Sequence, residues 1–489
     1  MPSGSVVDQA VTGGIWEGGV NTVNRLIQLA KITILARLLP PKEFGILGVG
    51  FLTLAVFESF SQLGIKQALI QRQDANIDEY LDTSWTLQIL RGLLLSATVF
   101  LIAPYAATWF GEPQATNVIR ALGIGPLLLG LKNPGVVYFR KGLQFHRRFI
   151  QILSGTTVNF ITAVTLGVLL GNVWALVAAS VVGNVVSVVA SYVLHGYRPS
   201  PKLNFERARE LIDYGKWIFG SSITYFLKNQ GDDIFVGWFL GATPLAFYQM
   251  SYRFSNAPST ELTDVVSNVM FPSLSQVQDD YQKLRTGYFR THRLNVFLAL
   301  PAAVGIALVA SPFVRVVLGT DWLPMVPVMQ MLAALGAVRV INSGNGPVYK
   351  TLSRPDIGMK LNIVQVLLIT VGIYPAADEF GVVGVAAVIV GSVAVVAPVG
   401  VYIALRMIQG SVVRYLGNII HPLVGSALMS LVLLFVAREL PVKPPALELV
   451  ALILLGAVTY SAYVGIAIFL FGYEIGDDLA GMVDSLRSG

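Results

Sequence analysis

The chain reads as a succession of apolar runs separated by short polar segments, from one end to the other. A spanning helix needs roughly 20 mostly apolar residues. Fourteen stretches meet that need: 12–39, 44–65, 84–109, 118–138, 150–170, 173–195, 213–240, 245–272, 294–318, 325–349, 358–377, 381–405, 416–437 and 446–472. The run 12–39 is unusually polar, and 245–272 holds Arg253, Glu261 and Asp264. The gaps at 196–212 and 273–293 are the longest, so no soluble catalytic domain is expected.

The pattern repeats. Trp16 and Gly19 recur 201 residues later as Trp217 and Gly220, Pro104 and Phe110–Gly111 recur 208 later as Pro312 and Leu318–Gly319, Val137–Tyr138 recur 211 later as Val348–Tyr349, and Gly171 recurs 210 later as Gly381. This pairs spans one to six with seven to twelve. Six is even, so the copies share one orientation, which is the parallel-repeat plan of certain transporters with the site between the halves. The expected fold is all-α: a polytopic membrane protein of fourteen transmembrane helices, two six-helix lobes (1–197 and 198–410) and two extra C-terminal helices (411–489).

Within the apolar runs, some polar residues keep helical spacing. Glu17, Asn21, Asn24, Gln28 and Lys31 share one face of the first span, with Arg25 beside it. The same offset lands on Ile218, Ser222, Tyr225, Asn229 and Asp232 of the seventh, with Lys228 and Asp233 adjoining. Glu58 and Gln62 add to the second span, Arg91 to the third, Arg253 and Asn256 to the eighth, and Arg339, Asn342 and Asn345 to the tenth. A mid-membrane Arg or Lys facing lipid costs at least ~2.5–3.5 kcal/mol. Such a set faces either partners, as in a Lys228–Asp232 ion pair, or a hydrated cavity.

Composition agrees with the patterning. Hydrophobic residues make up 54% of the chain and charged residues only 13%, about half the charge of a soluble domain. The net charge of +6 lies in short loops and does not point to nucleic acid. If the N-terminus is cytoplasmic, inner loops hold 20 Lys and Arg residues and outer loops 4, which places both termini inside. Asp8 and Glu17 lie where a secretory signal would be basic or uncharged, so no cleaved signal is read. The absence of cysteine removes disulfides and thiolate chemistry. No phosphate-binding loop is present, so ATP does not drive the chain directly. His146, His195, His292 and His421 are scattered without metal-ligand spacing, and no nucleophile–His–acid set is discernible. No cofactor or metal is expected.

Several segments resemble a known family. They are Ala36–Gly45, Gly64–Arg72, Ala103–Pro113, the basic loop Arg140–Phe149, Phe271–Ser275 and Leu318–Trp322. Together they are similar to the polysaccharide transporter (Wzx-like) flippases of the multidrug/oligosaccharidyl-lipid/polysaccharide exporter superfamily. The resemblance implies alternating access in a cell-membrane protein, moving a polyprenyl-(pyro)phosphate-linked oligosaccharide outward for surface polysaccharide such as O-antigen. Expected partners are that substrate, membrane lipids and other polysaccharide-assembly membrane proteins. Arg25, Lys31, Lys228 and Arg253 would meet phosphate, since a guanidinium makes bidentate contacts. Asn21, Asn24, Gln28 and Asn229 would meet phosphate or sugar hydroxyls. Asp232, Asp233 and Glu58 are candidates for ion coupling. The last two helices could hold the lipid tail. A drug or metabolite exporter of the same superfamily is the nearest alternative. A membrane enzyme on the same lipids is a weaker one, since the most acidic outer loop offers only Asp378–Glu379.

Overall fold

The computed structural model describes residues 6–61, 78–141, 144–256, 280–439, 444–476 and 478. Side chains are described for all of these except 6–18, 78, 140, 141, 145, 207 and 211–225. The far ends of the predicted spans 44–65 and 245–272 fall outside this set, with Gln62, Glu261, Asp264 and the whole of the motifs at 64–72 and 271–275. So do the side chains of Trp16, Glu17, Trp217, Ile218, Ser222 and Tyr225. Every regular element among the described residues is helical.

Two compact units divide at Ala246/Phe247. The first contains α1 (Val6–Leu38), α2 (Pro41–Ser59), α3 (Asp78–Trp109), α4 (Ala115–Leu122), α5 (Gly125–Gly130), α6 (Val137–Lys141), α7 (Phe145–Leu170), α8 (Trp174–Leu194) and α9 (Phe205–Phe239). Helix α10 spans 242–256 and crosses the division. The second unit continues with α11 (Tyr281–Phe313), α12 (Val326–Ile341), α13 (Asn345–Thr351), α14 (Pro355–Met407), α15 (Val412–Glu439) and α16 (Pro445–Phe471). In the first unit α1 packs on α7, α7 on α8, and α9 on α2 and α3. The contact boundary therefore leaves α9 with the first unit, whereas the sequence repeat starts its second lobe at 198.

Eight helices among the described residues are long and apolar enough to cross a membrane. The difference from fourteen has identifiable sources. Helix α14 runs 53 residues but contains Gly381 at φ 57°, ψ −138°, which is not helical. That break separates the predicted spans 358–377 and 381–405. Helices α1 and α9 carry the polar stripes, and α2 and α10 are followed by undescribed residues.

Two predicted spans, 118–138 and 325–349, are not continuous helices. Glycine and proline at 123–126 and 134–135 divide the first into α4, α5, a 3₁₀ turn over Pro134–Val136, and α6. The second breaks at Asn342–Gly344, with Gly344 at φ 90°. A break inside a membrane frees backbone carbonyls that need other donors. The Leu131 carbonyl accepts from the Tyr192 hydroxyl (2.9 Å) and the Trp85 indole (3.4 Å). The Ile341 carbonyl accepts from His292 Nε2 at 3.0 Å and from the Tyr415 hydroxyl. Asn342 and Asn345, which the sequence placed with the polar cavity residues, complete this second break: Asn345 Nδ2 donates to Asn342 Oδ1 (2.6 Å), and Asn345 Oδ1 accepts from the Tyr288 hydroxyl (2.8 Å).

Positions paired by the repeat share backbone features. Gly111 and Gly319, 208 residues apart, have φ of 69° and 106°. Gly171 and Gly381 follow at 62° and 57°. A positive φ favours glycine at each place.

Candidate functional site

The polar face of α1 divides between packing and open space. Asn24 Oδ1 accepts from the Thr156 hydroxyl of α7 at 2.8 Å, and Lys31 Nζ donates to Asn159 Oδ1, also at 2.8 Å. Gln28 is half-buried between them, while Asn21 and Arg25 are exposed. Arg25 lies about 20 Å from the C-terminal end of α1, at 1.5 Å per residue. On the expectation from the sequence that α1 is a membrane span, such a depth would lie well inside a bilayer core of roughly 30 Å. Thr156 and Asn159 were missed by the sequence reading. Their signal was present as polar side chains in an otherwise apolar run.

Helix α9 supplies the second set. Lys228 and Asn229 are exposed, and Asp232 and Asp233 are half-buried one turn further on. Arg253 of α10 is also exposed. Arg25, Lys31, Lys228, Asn229, Asp232 and Asp233 are each engaged by a neighbouring group. None of them is without a partner, yet Arg25 and Lys228 remain exposed.

Two other sequence candidates serve structure. The Arg91 guanidinium donates to the Ser61 carbonyl (2.7 Å) and hydroxyl (2.9 Å), capping the end of α2. It also lies close enough to Glu58 to act on it electrostatically. Arg339 donates to the Tyr252 hydroxyl at 2.7 Å and lies over its ring, tying α12 to α10. A further cation, Lys132, donates to Ser187 Oγ of α8 at 3.1 Å.

At the ends of the helices the polar groups are more conventional. Asp82 accepts from the Tyr197 hydroxyl (2.7 Å), the Ser200 amide (2.9 Å) and the Ser200 hydroxyl (2.7 Å). It thereby fixes the segment between α8 and α9 against α3. In the second unit Arg293 is only 7% exposed. It pairs with Asp478 (2.7 Å) and with Glu474, just beyond α16. The Arg293 hydrogen bond, followed by the Arg293 and then the Arg414 charge, holds the Glu474 carboxyl below its usual range. Among the described residues no group of three His, Cys, Asp or Glu could hold a metal ion.

Comparison with known proteins sets this geometry in context. The profile of a family described as polysaccharide biosynthesis protein matches residues 34–327. The lipopolysaccharide biosynthesis protein WzxC of Escherichia coli (strain K12) is 24% identical over 387 residues, 78% of either chain. The teichuronic acid biosynthesis protein TuaB of Bacillus subtilis (strain 168) is 23% identical over 88% of this chain and 89% of that one. Among solved structures, the lipid II flippase MurJ in an inward closed conformation superposes with a TM-score of 0.71 at 14% identity. The match covers 94% of this chain and 99% of that one, and it shows a shared fold.

Proposed function

The chain belongs to the polysaccharide biosynthesis protein family, and from that premise we propose that it is a flippase for a polyprenyl-(pyro)phosphate-linked oligosaccharide. It carries the lipid from the cytoplasmic to the outer leaflet of the plasma membrane, where the glycan enters surface polysaccharide assembly. It is a transporter rather than an enzyme. In this reading it has fourteen helices, two six-helix repeats and a C-terminal pair, with both termini cytoplasmic.

The observation that carries the proposal is the exposure of Arg25 and Lys228 deep within membrane helices. Each has a neighbouring partner yet leaves much of its surface exposed, and turning that surface to lipid would cost at least ~2.5–3.5 kcal/mol for each. A hydrated path resolves the cost. Cations along it suit the phosphates of a lipid-linked sugar, with Arg25 and Arg253 as bidentate donors and Lys31 and Lys228 as point charges. Asn21, Asn24, Gln28 and Asn229 offer donors and acceptors to sugar hydroxyls. Asp232 and Asp233 stand one turn from Lys228, where binding of a proton or Na⁺ would relieve repulsion of the substrate phosphate. Glu58, beside Arg91, is the third coupling candidate.

Deletion of the gene tests the function. A flippase deletion accumulates its lipid-linked oligosaccharide on the cytoplasmic side, and identifying that sugar identifies the substrate. Unchanged lipid-linked sugars together with increased sensitivity to a drug or metabolite would favour an exporter of small molecules instead.

A further inference from the structure

One end of the first unit is closed by contacts of an unusual kind. Helices α2 and α10 each begin immediately after a striped helix, at Pro41 and at 242. A Cβ placed on Gly45 would lie 1.9 Å from the Ala242 carbonyl oxygen and 2.3 Å from its carbon. The two backbones are therefore in direct contact, and no side chain fits at 45. Close by, a Cβ on Gly237 would lie 3.0 Å from the Phe110 ring. Trp109 stacks on Trp238 with ring centroids 5.8 Å apart and planes at 17°. Both indoles are about half exposed, 51% for Trp109 and 45% for Trp238. The same end holds the Lys42–Glu112 ion pair (3.8 Å) and the Glu43 carboxylate accepting from the Val173 amide (2.7 Å).

These contacts join α2 and α3, from the first copy of the sequence repeat, to α9 and α10, from the second. They lie where α1, α3 and α9 end, which is outer in the proposed topology. We propose that Gly45–Ala242, Phe110–Gly237 and Trp109–Trp238 form the outer gate of the translocation path, shut in this structure. This rests on the flippase reading above. The physical argument is that the closure is largely flat. Backbone meets backbone at Gly45, a ring lies on Gly237, and two indole faces lie on each other. Of the three, the Phe110–Gly237 contact seats a buried ring, 5% exposed, in a glycine notch, while the other two present flat faces. The copies can therefore part and reseat by withdrawing one ring rather than by repacking a core. An ordinary helix interface, built from interdigitated side chains at crystal-like density, is not separable in this way. The pairing also explains why a glycine is needed at 45, where α2 has ordinary helical backbone and any residue could fold.

The chain has no cysteine, so the gate can be cross-linked without background. In the double variant W109C/W238C, joined by a short bis-methanethiosulfonate, the protein is expected to remain inserted and to lose transport of lipid-linked oligosaccharide. Reduction should restore it. A fixed structural contact would not give that reversal. A second variant, Gly45→Ala, props the closure apart. In that background Trp238→Cys should react several-fold faster with a membrane-impermeant maleimide added from outside. Failure of the pair to link, or full linkage with undiminished transport, would overturn the gate. If the reduced double variant is itself inactive, the labelling comparison decides, and equal labelling with and without Gly45→Ala rejects the proposal. Failure of the flippase reading is separately visible, because the unsubstituted protein would then move no lipid-linked oligosaccharide.

Discussion

Arg25 and Lys31 lie two turns apart on α1, yet the structure gives them different surroundings, and their substitutions should differ accordingly. Arg25 is exposed and Arg253 is too, so removing either charge leaves no cavity in the packing. Arg25→Ala or Arg253→Ala should lower export about 10- to 100-fold, the scale of a lost charged hydrogen bond, with protein level unchanged. Arg→Lys should recover only part, because an ammonium lacks the planar fork. Normal export from a well-expressed double Ala variant would remove both from the site. Lys31 is bonded to Asn159, so Asn159→Leu should destabilise the protein by about 1–3 kcal/mol. Lys31→Met with Asn159→Leu replaces both partners by apolar groups and should regain much of that stability. Thermal unfolding in detergent measures this, and transport by the double variant separates the roles. Recovered stability with lost transport assigns Lys31 to the substrate. For α9, Asp232→Asn should leave protein abundant while transport in vesicles stops responding to an imposed pH or Na⁺ gradient. Retained gradient dependence with Asn at both 232 and 233 would exclude coupling there. The stripe was legible because charge in an apolar run is conspicuous. The partners were not, since Thr156 and Asn159 look like ordinary polar residues until α7 is packed against α1.

At the level of elements, apolar length located the helices but not their interruptions. The sequence separated 358–377 from 381–405, and Gly381 breaks α14 there. It drew 118–138 and 325–349 as single spans, because hydropathy does not register that a helix has stopped and resumed. The stops depend on donors from distant elements, such as Tyr192 for Leu131 and Tyr415 for Ile341. Tyr415 belongs to α15, outside the sequence repeat, and Asn418 Nδ2 on the same helix donates to the Phe289 carbonyl at 3.0 Å. The added C-terminal helix is thus keyed into the second unit by polar contacts that hydropathy cannot show. The segment after α16 is fixed by charge, through Arg293, Arg290 and Arg414 on Glu474 and Asp478. Because Arg293 lowers the Glu474 carboxyl, this contribution to stability is present above the ordinary glutamate range near pH ~4.3. It is lost as pH falls through the lowered folded-state value. Acidification should therefore destabilise the protein, and Glu474→Gln should flatten that part of the profile. An unchanged slope in a pH series of thermal unfolding would show that Glu474 contributes nothing.

For the molecule as a whole, the expected topology rests on the sequence repeat and the Lys/Arg bias. In the first unit, the segment read as an inner loop at 196–209 reaches the end where α3 begins, at Asp82. Segments read as outer, 40–43, 110–115 and 171–173, meet at the other end of α3, about 46 Å away at 1.5 Å per residue. This follows from Tyr197 and Ser200 on Asp82 at one end and from Lys42–Glu112 and Glu43–Val173 at the other. Reporter fusions at Gly196 and Gln282 should read cytoplasmic, and fusions at Glu112 and Thr243 external. An external reading at Gln282 would break the topology of the second half. Substrate identity had no comparable signal, because a wet cationic path suits many anionic lipids. The central claim is that this chain itself carries a lipid-linked sugar across a bilayer. The direct measurement uses purified protein in vesicles loaded with a polyprenyl-diphosphate oligosaccharide, following protection of the glycan from an impermeant glycosidase. Transbilayer exchange should appear with the wild-type chain, be absent in protein-free vesicles and be about 10- to 100-fold slower with Arg25→Ala. Equal exchange in protein-free vesicles, or none with folded wild-type protein, would contradict the claim.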